Sequence, residues 1–147
     1  MFQTNPIQLR PVLESDLPIF YQQQIDEEAA QMAGFPPRDH EKFMAHWAKN
    51  MADNRLILRT ILFEEQVAGN IVSFEQDDVR EVGYWLGKDF WGKGIATRAL
   101  GLFLDVETVR PLYAAAARHN LGSIHVLEKC GFQHLKTADE EVIYRLD

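Results

Sequence analysis

DFWGKGIATRAL, residues 89–100, closes a strand-like run, places Gly92 and Gly94 around Lys93, and opens directly into an apolar helix at Ile95. Small residues there let a ligand approach the backbone closely. The N–H groups of the first helical turn have no partner within the helix, and the helix dipole favours negative charge at that end. Lys93 adds a mobile positive charge. Taken alone, the stretch reads better as a tight strand-to-helix turn that needs glycine and binds nothing. Its spacing matches neither the dinucleotide fingerprint nor the nucleotide P-loop.

Working outward, REVGYWLG (80–87) reads as the strand that feeds this turn. Before it, IQLRPV (7–12) alternates as a strand, and ESDLPIFYQQQIDEEAAQ (14–31) is expected as one helix with Ser15 or Asp16 near its cap. GFPP (34–37) breaks that helix. RDHEKFMAHWAKNMAD (38–53) is a second helix with Phe43, Trp47 and Met51 on one face. RLILRTILFEEQVAGNIVSFE (55–75) reads as two strands joined by a tight turn near Glu64–Gln66, and the chain turns again at Asp77–Asp78.

After the glycine turn, GIATRALGLFLDVE (94–107) is a helix expected to bury Ile95, Ala99, Phe103 and Val106. PLYAAAARHN (111–120) is a fifth strand, since Pro111 and the short span before NLGS argue against a helix. SIHVLEKCGF (123–132) is a short helix closed by Gly131, and FQHLKTADEEVIYRLD (132–147) is a final hairpin. The order predicts an α/β (α+β) fold. A mixed central sheet of about six or seven strands carries helices on both faces.

The chain has 147 residues, the size of one domain, with 46% hydrophobic and 25% charged residues. Residues 1–147 are therefore read as a single domain. A formal net charge of −7 speaks against nucleic acid as a partner. The single cysteine, Cys130, excludes an internal disulfide and fits a reducing compartment. No apolar run reaches membrane-spanning length, and MFQTNPIQLR has neither the basic start nor the apolar centre of a signal peptide. A cytoplasmic protein, monomer or homodimer, is expected. His40, His46, His119, His125 and His134 show no metal-ligand spacing with Cys130, so no metal is expected. Cys130 reads as a small filler, Phe90 and Trp91 as packing under the loop. Trp47 and Phe35 are assigned to the core in preference to an acceptor pocket.

NLGSIHVLEKCGF (120–132) supplies the second constellation. Asn120 and Ser123 stand where either could cap the helix. Together with GYWLGKDFWGKGIATRAL (83–100), it resembles the GCN5-related N-acetyltransferases, closest to the bacterial ribosomal-protein N-terminal acetyltransferase branch. The resemblance runs from Ile7 to the end. It implies the GNAT fold, with a splay between the fourth and fifth strands, and an acetyl-CoA site. The family's Q/R-x-x-G-x-G/A loop falls on Trp91–Ala96, with Gly94 as its glycine and Trp91 in the place of Gln or Arg. The resemblance implies that Gly92, Lys93, Gly94, Ile95, Ala96 and Thr97 hold the pyrophosphate, mainly through the main chain. It implies further that Tyr84, Trp85 and Leu86 pair with the pantetheine arm and that Asn120 hydrogen-bonds it.

Acetyl transfer to an amine requires a base, a donor for the oxyanion and help for the leaving thiolate. The last role falls to a tyrosine in many relatives, but Leu127 occupies that position here. Ser123 is the replacement candidate, beside its alternative as a helix cap. Glu81 is the first candidate base, acting through water, beside a reading as a solvated edge charge. His119 is the second, with a suitable intrinsic pKa, beside a structural reading. The acidic run Asp26–Glu28 reads as a solvated face. The expected activity is acetyl transfer from acetyl-CoA to a primary amine, on a protein N-terminus or a small molecule. The alternatives are a non-catalytic CoA-binding or regulatory domain on the same fold, and an anion- or nucleotide-binding α/β protein.

Overall fold

The structure, a computed structural model, describes residues 6–34 and 36–147. The assignment of Phe35 and the reading of the first five residues fall outside the described residues. Among these residues seven strands form one sheet: β1 (Ile7–Pro11), β2 (Ile57–Phe63), β3 (Gln66–Gln76), β4 (Val79–Leu86), β5 (Leu112–Ala117), β6 (Gln133–Ala138) and β7 (Glu141–Leu146). Their order is β1-β2-β3-β4-β5-β7-β6. Every neighbouring pair is antiparallel except β4 and β5, which run parallel.

The antiparallel half is built from two tight hairpins. Glu64 and Glu65 both have positive φ (49° and 68°), as do Asp77 and Asp78 (54° and 66°). Paired left-handed residues match the twist of the flanking strands. The parallel pair cannot be joined by a hairpin, and the helix α4 (Ile95–Phe103) makes the crossover. Inside β3, Gly69 admits an unusually close approach of β4: an added Cβ would lie 2.1 Å from the Trp85 carbonyl oxygen.

The sheet separates two cores. One gathers Ile61, Ile71, Val82, Leu100, Phe103, Leu112 and Leu127 beneath α4 and α5 (Leu121–Lys129). The other packs Leu17, Phe20, Phe43 and Trp47 over Leu58, Val67 and Val72. Ile71 and Val72 are neighbours yet belong to different cores, because successive strand side chains point to opposite faces. The second core belongs to α1 (Leu17–Gln24) and α3 (His40–Met51). Trp47, 6% exposed, sits in it as the sequence suggests.

Two sequence expectations are corrected. The helix expected over 14–31 is three pieces: a short 3-10 turn at Glu14–Asp16, then α1, then α2 (Glu27–Ala33). Asp26 adopts an extended conformation and its carboxylate accepts from the Ala29 N–H at 3.0 Å. That cap begins a new helix where the apolar pattern alone continues the old one. Asp16 does not cap α1 with its side chain. Its buried carboxylate accepts instead from Arg10, from the Leu13 N–H and from the Thr60 hydroxyl. The second correction concerns Val106. The α4 helix ends at Phe103, leaving Val106 41% exposed beyond it, while Ile95, Ala99 and Phe103 are buried as expected. Among the described residues, no helix is long and apolar enough to cross a membrane.

Candidate active site

The β4–β5 pairing stops almost where it starts. Arg80 pairs with Leu112 and Glu81 with Tyr113, and no further rung follows. Beyond that point β3 still holds β4 and β7 still holds β5, so the two strands separate without losing their places in the sheet. The gap lies at the carboxyl end of parallel strands, where α/β sheets bind ligands.

Two cavities meet in it. One, of about 530 Å³, lies among α2, the end of β4, the glycine loop and the start of α5. The other, of about 750 Å³, runs between the strands past Gly83 and Ala115 to a rim of Asp139 and Glu140 on the β6–β7 turn and Glu141 at the start of β7. Among the described residues, six line both: Ala33, Tyr84, Trp85, His119, Asn120 and Ser123.

At the outer end of the first cavity the loop behaves as an anion cradle should. Gly92 and Gly94 both have φ +74°, and nothing lies within 4 Å of a Cβ added to either. The left-handed backbone, not crowding, requires glycine there, and the space above the loop is open. The first backbone bond of α4 runs from the Arg98 N–H to the Gly94 carbonyl at 3.3 Å, so the N–H groups of Ile95, Ala96 and Thr97 point out of the helix end. The Trp91 indole pins the loop from beneath by donating to the Leu86 carbonyl at 3.0 Å. Lys93 lies with its Nζ 6.0 Å from the centre of the Phe63 ring. These donors and this open space suit a diphosphate. Gly92, Gly94, Ile95 and Ala96 line the cavity, as do Tyr84, Trp85 and Leu86; Lys93 and Thr97 stand outside its wall.

Asn120 is the N-cap of α5: its Oδ1 accepts from the Ser123 N–H at 3.1 Å. The cap uses the amide oxygen and leaves the NH2 group as a donor for a bound molecule. Ser123 is therefore not the cap, which corrects that alternative; its backbone is the capped group, and its hydroxyl is used elsewhere. The Tyr84 hydroxyl donates to Ser123 Oγ at 3.0 Å. Burial pushes the Tyr84 phenol above its ordinary pKa. Leu127, one turn further along α5, is 3% exposed and packs into the core beneath the gap.

His119 has a structural bond. Its Nε2 lies 2.7 Å from the Gln31 carbonyl oxygen. A carbonyl can only accept, so Nε2 carries the proton and Nδ1 is the basic nitrogen. On the other side of α2, the Lys88 ammonium meets the Glu28 carboxylate at 2.6 Å. The two contacts hold α2 across the mouth of the splay. Within the acidic run Asp26 caps α2, while Glu27 and Glu28 are exposed to solvent, as the sequence suggests.

Glu81 lies at the closed end of the splay, half-buried, and lines neither cavity directly. Burial raises its pKa, and the nearby charges of Glu141 and Asp77 raise it further. Among the described residues, no group of three or more His, Cys, Asp or Glu side chains gathers to hold a metal ion. Cys130 is half-buried, with its thiol pushed up by burial and its Sγ 3.5 Å from the Thr97 carbonyl.

Sequence reasoning overlooked the Tyr84 side chain, which it treated only as backbone. The available signal was strand alternation: Val82, Tyr84 and Leu86 share the face that looks toward α5. It also overlooked Asp139–Glu141, which it placed in the final hairpin without singling them out.

Known proteins agree with this geometry. The family model described as acetyltransferase (GNAT) domain matches residues 7–133. "Putative ribosomal N-acetyltransferase YdaF" of Bacillus subtilis (strain 168) is 33% identical over 100 residues, 63% of this chain. The match spans only 54% of that curated relative. The solved structure of RimL, a ribosomal L7/L12 alpha-N-protein acetyltransferase in complex with coenzyme A, superposes with a TM-score of 0.82 at 18% identity, covering 97% of this chain and 94% of that one. A spermidine N-acetyltransferase from Vibrio cholerae, in complex with CoA and spermine, reaches 0.79 at 16% identity, covering 95% and 93%. At such identities the structural likeness speaks for the fold.

Proposed function

The chain belongs to the GNAT acetyltransferase family, and on that footing we propose that it transfers an acetyl group from acetyl-CoA to a primary amine by direct attack. One observation carries the reading: two cavities of different chemistry meet in the β4–β5 gap. The first has the anion cradle of residues 92–97 at its outer end and β4 along its wall. It suits a diphosphate followed by an extended arm. The second ends on three carboxylates, which suit an acceptor bearing positive charge. The spermidine N-acetyltransferase structure holds spermine, which is cationic, and a free protein N-terminus is cationic too.

In this reading, residues 92–97 bind the pyrophosphate through their N–H groups, and Asn120 binds the pantetheine arm. A main-chain N–H on the open edge of β4 takes the charge that develops on the acetyl oxygen. Glu81 removes the amine proton through water. Its raised pKa brings it closer to neutral pH than an exposed glutamate, which suits a base. His119 is less suited to that part, because its bond to Gln31 fixes the ring to α2. Ser123 donates to the sulfur.

The test is an acetyl-CoA assay over a panel of amines that includes short peptides, polyamines and neutral amines, read as CoA release. Turnover with cationic acceptors above neutral ones supports the proposal. Stabilisation by acetyl-CoA without turnover on any amine would favour a CoA-binding domain with no catalysis. Equal stabilisation by ATP would point to a general anion site.

A further inference from the structure

Residues 84 and 123 come from different elements, a strand and a helix, yet their hydroxyls meet at 3.0 Å where the two cavities join. Both carriers are held firmly. β4 is paired with β3 along its whole length, and the first turn of α5 is closed by the Asn120 cap. A hydroxyl can donate one hydrogen bond and accept two. A phenol is a stronger acid than an alkyl alcohol, so in a Tyr–Ser pair the phenol donates.

Resting on the acetyl-transfer reading above, we infer that Tyr84 is a positioning residue: by donating to Ser123 Oγ it turns the serine proton toward the junction, where the thioester sulfur departs. Left alone, the serine hydroxyl could rotate and meet the sulfur with a lone pair, which would oppose the developing thiolate. With Tyr84 donating to its oxygen, Ser123 faces the sulfur as a donor. The strand tyrosine thus supplies to the gap what Leu127 does not. Burial keeps the phenol protonated, so the direction of the bond does not reverse over the pH range in which an amine is acetylated.

The step is balanced without an added reagent. The amine nitrogen bonds the acetyl carbon, and the carbon–sulfur bond breaks with its electron pair going to sulfur. The surplus nitrogen proton passes through Glu81 or water to solvent. Ser123 and Tyr84 keep their protons and contribute hydrogen bonds only, strongest when the sulfur is fully charged.

The plainer reading is that a half-buried tyrosine merely needs a hydrogen-bond partner. The two readings separate in Tyr84→Phe, Ser123→Ala and the double variant. Each is assayed for kcat and KM with acetyl-CoA, for acetyl-CoA affinity by calorimetry, and for melting temperature. The expected result is a fall in kcat of about tenfold for Tyr84→Phe, the size of one hydrogen bond to a charge that forms in the transition state. Acetyl-CoA affinity should stay within about twofold, since the bond acts on the leaving sulfur and not on binding. In the Ser123→Ala background Tyr84→Phe should have no further effect on kcat, because the group it orients is gone. An unchanged kcat in Tyr84→Phe, or losses that multiply in the double variant, would overturn the inference while leaving acetyl transfer standing. A wild-type protein that binds acetyl-CoA but acetylates no amine overturns the underlying reading, and this inference with it.

Discussion

Glu81 of β4 faces Tyr113 of β5 across the last rung that joins these strands. The position places a half-buried carboxylate at the root of the gap, within the field of Glu141 and Asp77. Because its pKa is raised on folding, the folded protein holds this proton to higher pH than the unfolded chain does. Its contribution to stability therefore becomes unfavourable as pH rises past the unfolded value, and stays so above the folded value. Glu81→Gln should raise the melting temperature at neutral pH and lower it relative to wild type at no pH. If Glu81 is the base, the same variant should lose most of its turnover, and the fall in wild-type rate on the acid side should disappear. A variant with normal turnover removes Glu81 from the mechanism.

The cradle makes a prediction that side chains alone do not. Asp is among the few residues that tolerate the left-handed backbone of position 94. Gly94→Asp should therefore fold, at a cost of roughly 1 kcal/mol. Its carboxylate would stand in the open space above the loop and repel a diphosphate. Acetyl-CoA binding should vanish by calorimetry while the circular dichroism spectrum is kept. Lys93→Ala should weaken binding far less, by on the order of 1 kcal/mol, because an exposed, mobile ammonium adds little to fixed N–H donors.

The start of α5 separates two roles that the sequence leaves entangled. Asn120 is the cap, so Asn120→Ala should lower stability by roughly 1 kcal/mol, and Asn120→Ser should recover most of it. Ser123→Ala removes no cap and should leave the unfolding midpoint close to wild type while lowering turnover. A large loss of stability in Ser123→Ala, equal to that of Asn120→Ala, would show the hydroxyl to be structural.

Acid should find the molecule's weak point at Asp16. The carboxylate is 3% exposed and lies 2.7 Å from Arg10. Burial alone would raise its pKa, but hydrogen bonds from Arg10, the Leu13 N–H and Thr60 outweigh it and lower the pKa to about 2. A depressed folded value contributes stability above the unfolded pKa and loses it as pH falls toward the folded one. That contribution amounts to roughly 2 kcal/mol at neutral pH. Urea midpoints should fall between about pH 5 and pH 2 in wild type, and this part of the slope should be absent in Asp16→Asn. An identical acid profile in both proteins would rule out Asp16 as the acid-labile site.

The features that were legible early share a property: each acts within a few residues of itself. The glycine loop leaves the N–H groups of the first turn of α4 without helical partners, and that follows from two left-handed glycines and a helix start. The hairpins at 64–65 and 77–78 are of the same kind. The break at Asp26 was equally local, but the helical spacing of Tyr21, Ile25 and Ala29 masked an acid that begins a helix. Val106 was misread because helical periodicity says which face is buried and not where the helix stops.

What the sequence by itself determined is the order of the strands and the left-handed glycine turn into α4, since backbone geometry and short-range hydrogen bonding decide both. Only the tertiary structure decided the partners of side chains far apart in the chain: Tyr84 with Ser123, His119 with Gln31, Lys88 with Glu28, and the acid rim with the gap. A hydrogen bond requires its atoms within about 3 Å, and 39 positions separate Tyr84 from Ser123. Nothing local brings those hydroxyls together. The early end of the β4–β5 ladder does, because it opens one gap into which a strand and a helix both project.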